Sequence, residues 1–414
     1  MLLVSYRKHA DSLGKPQNGL AGRLAARVGG QGLFDLVIRQ GRVIDPGAGI
    51  DRQLDVGFRD GRVVALEAGL PVENVERVVD ATDRLVVPGL IDLHTHVYWG
   101  GTSLGVDADA LARRSGTTTF VDAGSAGPGN FPGFRHHVIE RSRSRIIAYL
   151  NISFAGIYGF SRNVMVGECR EIMLCDAKEA VACARENLEL IVGMKVRVGR
   201  IASGTSGAAP MHIALEAADR LGVPLMAHLD YPPPSRSEVV GWLRRGDVLT
   251  HCFKPFPNDA LDGRGRIREE ILAARERGVW FDIGHGMGSL DFDVARAMLK
   301  EGFLPDVISS DVHALCVDGP AYDLLVTMSK FLCLGMPLND VLRTATSAPA
   351  AAIGRPELGS LQPGAIGDAA VLELCQGRFD YVDSPGQRMV GDQRLVSHGV
   401  VIGGNWWPVE AGEA

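Results

Sequence analysis

The sequence has no CxxC pair, and its seven cysteines, Cys169, Cys175, Cys183, Cys252, Cys316, Cys333 and Cys375, are odd in number and scattered. That pattern argues against a disulfide framework and against a structural zinc ribbon. Unpaired thiols suit a reducing compartment, so a cytoplasmic location is expected. No apolar run approaches the ~20 residues that a membrane helix requires, so no membrane partner is expected. A basic excess is also missing. Lys and Arg number 43 against 49 Asp and Glu, a formal charge of −6, whereas a nucleic-acid surface needs a basic stripe. The start of the chain lacks the apolar stretch of a signal peptide, because only Leu2-Leu3-Val4 precedes Arg7 and Lys8. Residues 1–33 carry Arg7, Lys8, Arg23 and Arg27, several glycines and a single acid, Asp11. They read as a loosely ordered extension.

What is present suits one large domain and a smaller one. The chain has 414 residues, of which 46% are apolar, enough for a sizeable core. Its 51 glycines fit many tight strand–helix connections. From Phe34 the pattern is strand-like: Phe34–Ile38, Arg42–Asp45, Leu54–Phe58, Arg62–Leu66 and Arg84–Val87 are short runs parted by turn residues. Gly367–Leu374 and Ser397–Ile402 resume this style near the end. Residues 34–87 and 359–414 are therefore expected to build one β-sandwich from both ends of the chain.

Residues 88–358 alternate short β-branched runs with longer helical segments such as His212–Leu221 and Phe292–Glu301. Eight candidate strands occur: Leu90–His94, Thr118–Asp122, Ile146–Asn151, Ile191–Arg197, Val223–His228, Val248–His251, Val279–Ile283 and Val307–Asp311. Eight strand–helix units in about 270 residues match a (β/α)8 TIM barrel, an α/β fold of typically ~250 residues. A doubly wound sheet would alternate in the same way. The histidines favour the barrel, whose chemistry sits at the carboxyl ends of the strands. His94 and His96 close the first strand, His228 the fifth, His251 the sixth and Asp311 the eighth. Two imidazoles two residues apart point to one side of a strand and can share a divalent ion. Lys195 lies inside the apolar fourth strand. An ammonium is no metal ligand. Two readings stand for it: a lysine reaching out to the rim, or an amine that takes up CO2 and becomes an anionic carbamate able to bridge two cations.

Pro88-Gly89-Leu90-Ile91-Asp92-Leu93-His94-Thr95-His96 resembles the opening motif of the amidohydrolase superfamily, and Gly367-Asp368-Ala369-Ala370-Val371 resembles its closing sandwich motif. The resemblance runs from about Phe34 to the end. It implies a barrel with a β-sandwich and two divalent metal ions, usually Zn2+. His94 and His96 would hold the more buried ion with Asp311, His228 and His251 the more exposed one, and carboxylated Lys195 would bridge them. The strings Thr117–Ser125, Phe281–Gly286 and Ser309–His313 are similar to a group often labelled dihydroorotase but linked to deacetylation of small α-substituted carboxylates, with acetyl-(R)-mandelate as model substrate. The expected reaction is hydrolysis of an ester or amide by a metal-bridging hydroxide, with Asp311 as general base and then acid.

Around that centre, Arg197 faces the same side of its strand as Lys195 and is expected to bind a substrate carboxylate. His285 is expected to bind substrate or an intermediate, and Tyr158 to donate to the developing oxyanion. His313 is expected to orient the metal site. Cyclic amidases of the hydantoinase or dihydroorotase kind and N-acyl-amino-acid deacetylases are the competing classes. Dihydroorotases usually carry Arg two residues after the second His of the pair, where this chain has Tyr98. A small-molecule carboxylate is the expected partner, and a barrel of this size is expected to form a homo-oligomer.

Overall fold

The computed structural model describes residues 33–410. The expected N-terminal extension lies outside them, apart from Leu33. Fifteen strands are ordered along the described chain. Leu36–Asp45 (β1), Ile50–Arg59 (β2), Arg62–Glu67 (β3), Arg77–Asp80 (β4) and Leu85–Pro88 (β5) come first. Leu90–Thr95 (β6), Thr117–Ala123 (β7), Arg145–Asn151 (β8), Ile191–Val198 (β9), Leu225–Leu229 (β10), Val248–Thr250 (β11) and Trp280–Asp282 (β12) form the middle. Ala369–Val382 (β13), Arg388–Ile402 (β14) and Asn405–Pro408 (β15) end it.

The middle strands make one parallel sheet in the order β6 to β12, each beside its neighbour in sequence. Every residue of β6 and β7 is buried. Such strands are covered on both faces, by the barrel interior and by helices. The helix Ala209–Leu221 buries Pro210, Met211, Ala214, Ala217 and Ala218, an apolar stripe at helical spacing, and stops at Gly222 with φ 69°. Phe292–Lys300 starts at Asp291, whose carboxylate accepts from the backbone of Asp293 and Val294.

The eighth barrel position is filled, though not by the regular strand expected over Val307–Asp311. Val307 bridges Asp282 of β12 and Val312 bridges Thr95 of β6, which closes the ring. Between those bridges the backbone is tied by side chains. Ser309 Oγ donates to Asp282 at 2.6 Å and Ser310 N to Asp92 at 2.9 Å. Asp311 then turns to φ 47°. The regular ladder gives way where the chain must aim one carboxylate inward.

The chain ends build the second sheet, in the order β15-β14-β13-β5-β1-β2-β3 with β4 also beside β1. Leu36, Ile38, Val43, Val56, Phe58, Val86, Val371 and Val401 form its own buried core. Two expected strands, Phe34–Ile38 and Arg42–Asp45, are one strand with a bulge between Ile38 and Gly41. Gly41 has no room for a side chain, since a Cβ would lie 2.4 Å from Val86. Strands β13 and β14 form a long hairpin, paired from Ala369–Val401 out to Val382–Arg388. No helix among the described residues is long and apolar enough to cross a membrane. None of the seven cysteines is in a disulfide.

Candidate active site

The strand ends bring His94, His96, Lys195, His228, His251 and Asp311 to one cavity of about 320 Å³. His94 Nε2 lies 3.3 Å and His96 Nε2 3.2 Å from the same oxygen, Asp311 Oδ1. The ligand atoms of these three residues all fall within 4.8 Å of one another.

Hydrogen bonds fix which ring nitrogen faces the cavity. Thr250 Oγ1 donates to Asp282 at 2.7 Å, so it must accept from His94 Nδ1, 2.8 Å away. The Ser125 backbone N–H donates to the Asp122 carboxylate at 2.7 Å, and the Ser125 hydroxyl lies 2.8 Å from His96 Nδ1. His251 Nδ1 donates to the Gly284 carbonyl at 2.7 Å. In His94 and His251 the proton is therefore held on Nδ1, and Nε2 keeps its lone pair. Burial pushes His94, His228 and His251 well down and His96 down to about 3, so these rings are neutral, the form that ligates metal.

The arrangement fits a cation and not an empty cluster. Asp311 Oδ1 is buried without a hydrogen-bond donor, and His94 Nε2, 3.3 Å away, presents a lone pair to it. Acceptor facing acceptor is repulsive, and a buried oxygen left without a partner costs ~1–3 kcal/mol. A divalent ion removes both penalties. His251 and Asp311 also adopt φ of 65° and 47°, a region disfavoured for residues with a Cβ. Burial pushes the Asp311 carboxyl up to about 6.

Lys195 is fully buried on β9. Its Nζ neighbours are His94 Nε2 at 3.4 Å and Met226 Sδ at 3.3 Å, neither of them a counter-charge. Burial pushes its ammonium down to about 7. A lysine reaching out to the rim is therefore not what the chain forms: the side chain ends inside the cluster.

Arg197, two residues on, lines the same cavity. Its guanidinium meets Glu168 only at 3.4 Å and stands 5.2 Å above the Phe160 ring. His313 also lines the cavity. Its Nδ1 accepts from the Leu315 backbone at 3.1 Å, which leaves an Nε2–H as donor.

Two expected residues are not brought to the site. His285 is fully buried, but its Nδ1 meets the Gly286 carbonyl at 2.9 Å and its Nε2 meets Lys330 Nζ at 2.6 Å. Both ring nitrogens are used in locking the loop. Tyr158 is 47% exposed and lies outside the cavity wall, to which its loop contributes Phe160 and Met165 instead. Tyr98 is buried against Phe134, with its hydroxyl on the Asn130 carbonyl, so nothing at that position reaches a substrate. Sequence reasoning missed Thr250, Ser125 and Lys254. The first two immediately precede a ligand or follow a strand end, which is the only signal they carried.

A family model described as the amidohydrolase family matches residues 85–406. The chain is 37% identical over 331 residues to a deacetylase of Agrobacterium fabrum, spanning 79% of this chain and 80% of that protein. Among solved structures, a dihydroorotase aligns with a TM-score of 0.82 at 34% identity, covering 90% of this chain and 98% of that one. An adenine deaminase aligns with a TM-score of 0.84 at 27% identity, covering 91% and 100%. With a family match over most of its length and this cluster at the strand ends, the chain is a hydrolase belonging to the amidohydrolase family.

Proposed function

We propose that the protein is a binuclear metal-dependent hydrolase that deacetylates small α-acyloxy carboxylates of the acetyl-(R)-mandelate kind. The reaction breaks the bond between the acyl carbon and the ester oxygen, and water supplies a hydroxyl to that carbon. Acetate and a 2-hydroxy carboxylate leave. The observation that carries this reading is the convergence of six candidate ligands and a cationic wall on one cavity.

His94, His96 and Asp311 would hold one divalent cation, and His228 and His251 the other. Lys195 would bridge them once its amine has bonded to the carbon of CO2 and released a proton. Nitrogen-rich donors of this kind suit Zn2+. Bound there, the two cations would acidify a water near neutral pH and polarise the acyl carbonyl. The remaining steps belong to the chain. Asp311 accepts the second proton of the attacking water and returns it to the departing alkoxide oxygen. Arg197 fixes the carboxylate. His313 presents its Nε2–H to the reacting group, a role the sequence had pointed to for Tyr158. Neither Tyr158 nor His285 takes part in this scheme.

Support also comes from the A. fabrum relative, which is named a deacetylase, and from Tyr98, which leaves no arginine at the position where dihydroorotases bind their carboxylate. The test is turnover of racemic acetyl-mandelate, N-acetyl-amino acids, dihydroorotate and hydantoin by protein supplied with zinc and bicarbonate. Rapid cleavage of one acetyl-mandelate enantiomer is expected. Turnover confined to the cyclic amides would overturn the deacetylase reading and leave the metal site standing.

A further inference from the structure

The cavity holds a cation that the scheme above does not use. Lys254 follows His251 by three residues, on the loop after β11, and lines the cavity wall. Its ammonium donates to the Leu229 carbonyl at 2.9 Å. It makes no ion pair among the described residues. One acid of the wall, Asp230, already accepts from the backbone N–H of Ile201 at 3.0 Å and of Ala202 at 2.7 Å. Arg197, on β9 with β10 between it and β11, lines the same cavity, with its Nε buried and without a partner. Its one acid, Glu168, sits at a weak 3.4 Å and has its second oxygen unsatisfied.

Two cations thus face one cavity with spare donors, Lys254 without an ion pair among the described residues and Arg197 with a single loose one. Removing cations from water without compensation is costly. The imbalance is resolved if an anion enters with the substrate. A carboxylate has two oxygens and room for about four hydrogen bonds, enough to take an arginine fork and a lysine point charge together.

We propose that Lys254 and Arg197 together form the substrate's carboxylate anchor, on the β9–β11 side of the cavity. This rests on the deacetylase reading and makes it directional. With the carboxylate on that wall, the scissile acyl group is turned towards His94, His96 and Asp311. Arg197 alone would tolerate a range of acid positions. The second cation, tied to the Leu229 carbonyl beside His228, restricts the acid to one reach from the reacting carbon. Substrates are then acids whose carboxylate sits one carbon from the ester oxygen, and neutral esters of the same shape are poor.

The test is Lys254→Gln, whose amide can still donate to the Leu229 carbonyl while the charge is gone. Binding of the product acid, mandelate, to zinc-loaded protein is read by calorimetry beside its neutral amide, mandelamide. Steady-state kinetics compare acetyl-mandelate with its methyl ester. A charge-assisted hydrogen bond of ordinary strength predicts mandelate binding roughly ten- to a hundredfold weaker in the variant. Mandelamide binding should stay within twofold, and the loss should fall on KM more than on kcat. Lys254→Arg should recover part of the carboxylate preference. Equal losses for acid and amide would mean a structural role only and would overturn the proposal, as would unchanged mandelate binding. Should the wild type bind mandelate with the expected dependence on Lys254 yet cleave no acetyl ester, the anchor stands and the deacetylase reading falls.

Discussion

Gly286 is the position where one methyl group should separate stability from activity. Its φ is 49°, and a Cβ there would lie 2.2 Å from Asp311 Oδ2 and 3.0 Å from Asp311 Cγ. Ordinary contact begins near 3.4 Å, so in Gly286→Ala the carboxylate must retreat by about 1 Å. A misplacement of that size in a catalytic group costs roughly 10²-fold. The backbone term is separate: the left-handed region costs a residue with a Cβ roughly 1–2 kcal/mol. Gly302→Ala isolates that second term, because Gly302 has φ 76° and nothing within 4 Å of its Cβ position. Both variants should melt a few degrees lower, at roughly 2–4 °C per kcal/mol for chains somewhat shorter than this one. Only Gly286→Ala should lose about 10²-fold in kcat/KM at matched metal content. Gly286→Ala within threefold of the wild type would refute the claim that Asp311 must occupy this place.

The other predictions address the site and its supports. Asp311→Asn should lower kcat by about 10²–10⁴-fold, the usual weight of a general acid–base group, measured as initial rates at saturating substrate. Thr250→Val removes the acceptor that holds His94 Nδ1–H, and should weaken zinc binding about 10- to 100-fold by competition with a chelator. Lys254 is pushed down to about 8 by burial, which outweighs the upward pull of Asp230, with Arg197 pushing down and Asp311 pulling up. Its charge is present below that pH and lost above it, so mandelate affinity should fall as pH rises through about 8, and Lys254→Gln should lack this inflection. Lys330→Met leaves His285 Nε2 and the carbonyls of Pro320 and Val382 without their shared donor. At ~1 kcal/mol or more for each orphaned acceptor, thermal unfolding should move down by several degrees.

Strand ends were legible where chemistry and periodicity coincide. β6 through β12 were read within about two residues of their ends, because buried parallel strands are continuous apolar runs and the histidine ligands sit at or next to the carboxyl ends of such runs. The eighth position was read as a strand for the same reason. Ser309 and Ser310 carried the hint that side chains would replace the ladder there, but a serine pair alone does not announce a turn. The outer part of the β13–β14 hairpin was not read, since Cys375–Asp380 contains no fully buried residue and so lacks a buried stripe.

Loops explain the site residues that were misplaced or missed. Which way His285, Tyr158 and Lys254 point depends on partners far away in sequence: Lys330 for His285 and the Leu229 carbonyl for Lys254. Spacing along a strand fixes the side to which a residue faces. No such rule operates in the segments after the strands, where specificity is decided. Arg197 was assigned to the cavity because it sits on β9 two residues from Lys195. Lys254 was missed because it does not sit on a strand.

The most direct test of the account is the metal content of purified protein after loading with zinc and bicarbonate, determined by elemental analysis beside Lys195→Ala. The account predicts close to two zinc ions per wild-type chain and one or fewer in the variant, because the bridging head is gone. One ion per chain in both proteins would contradict a binuclear centre bridged by Lys195.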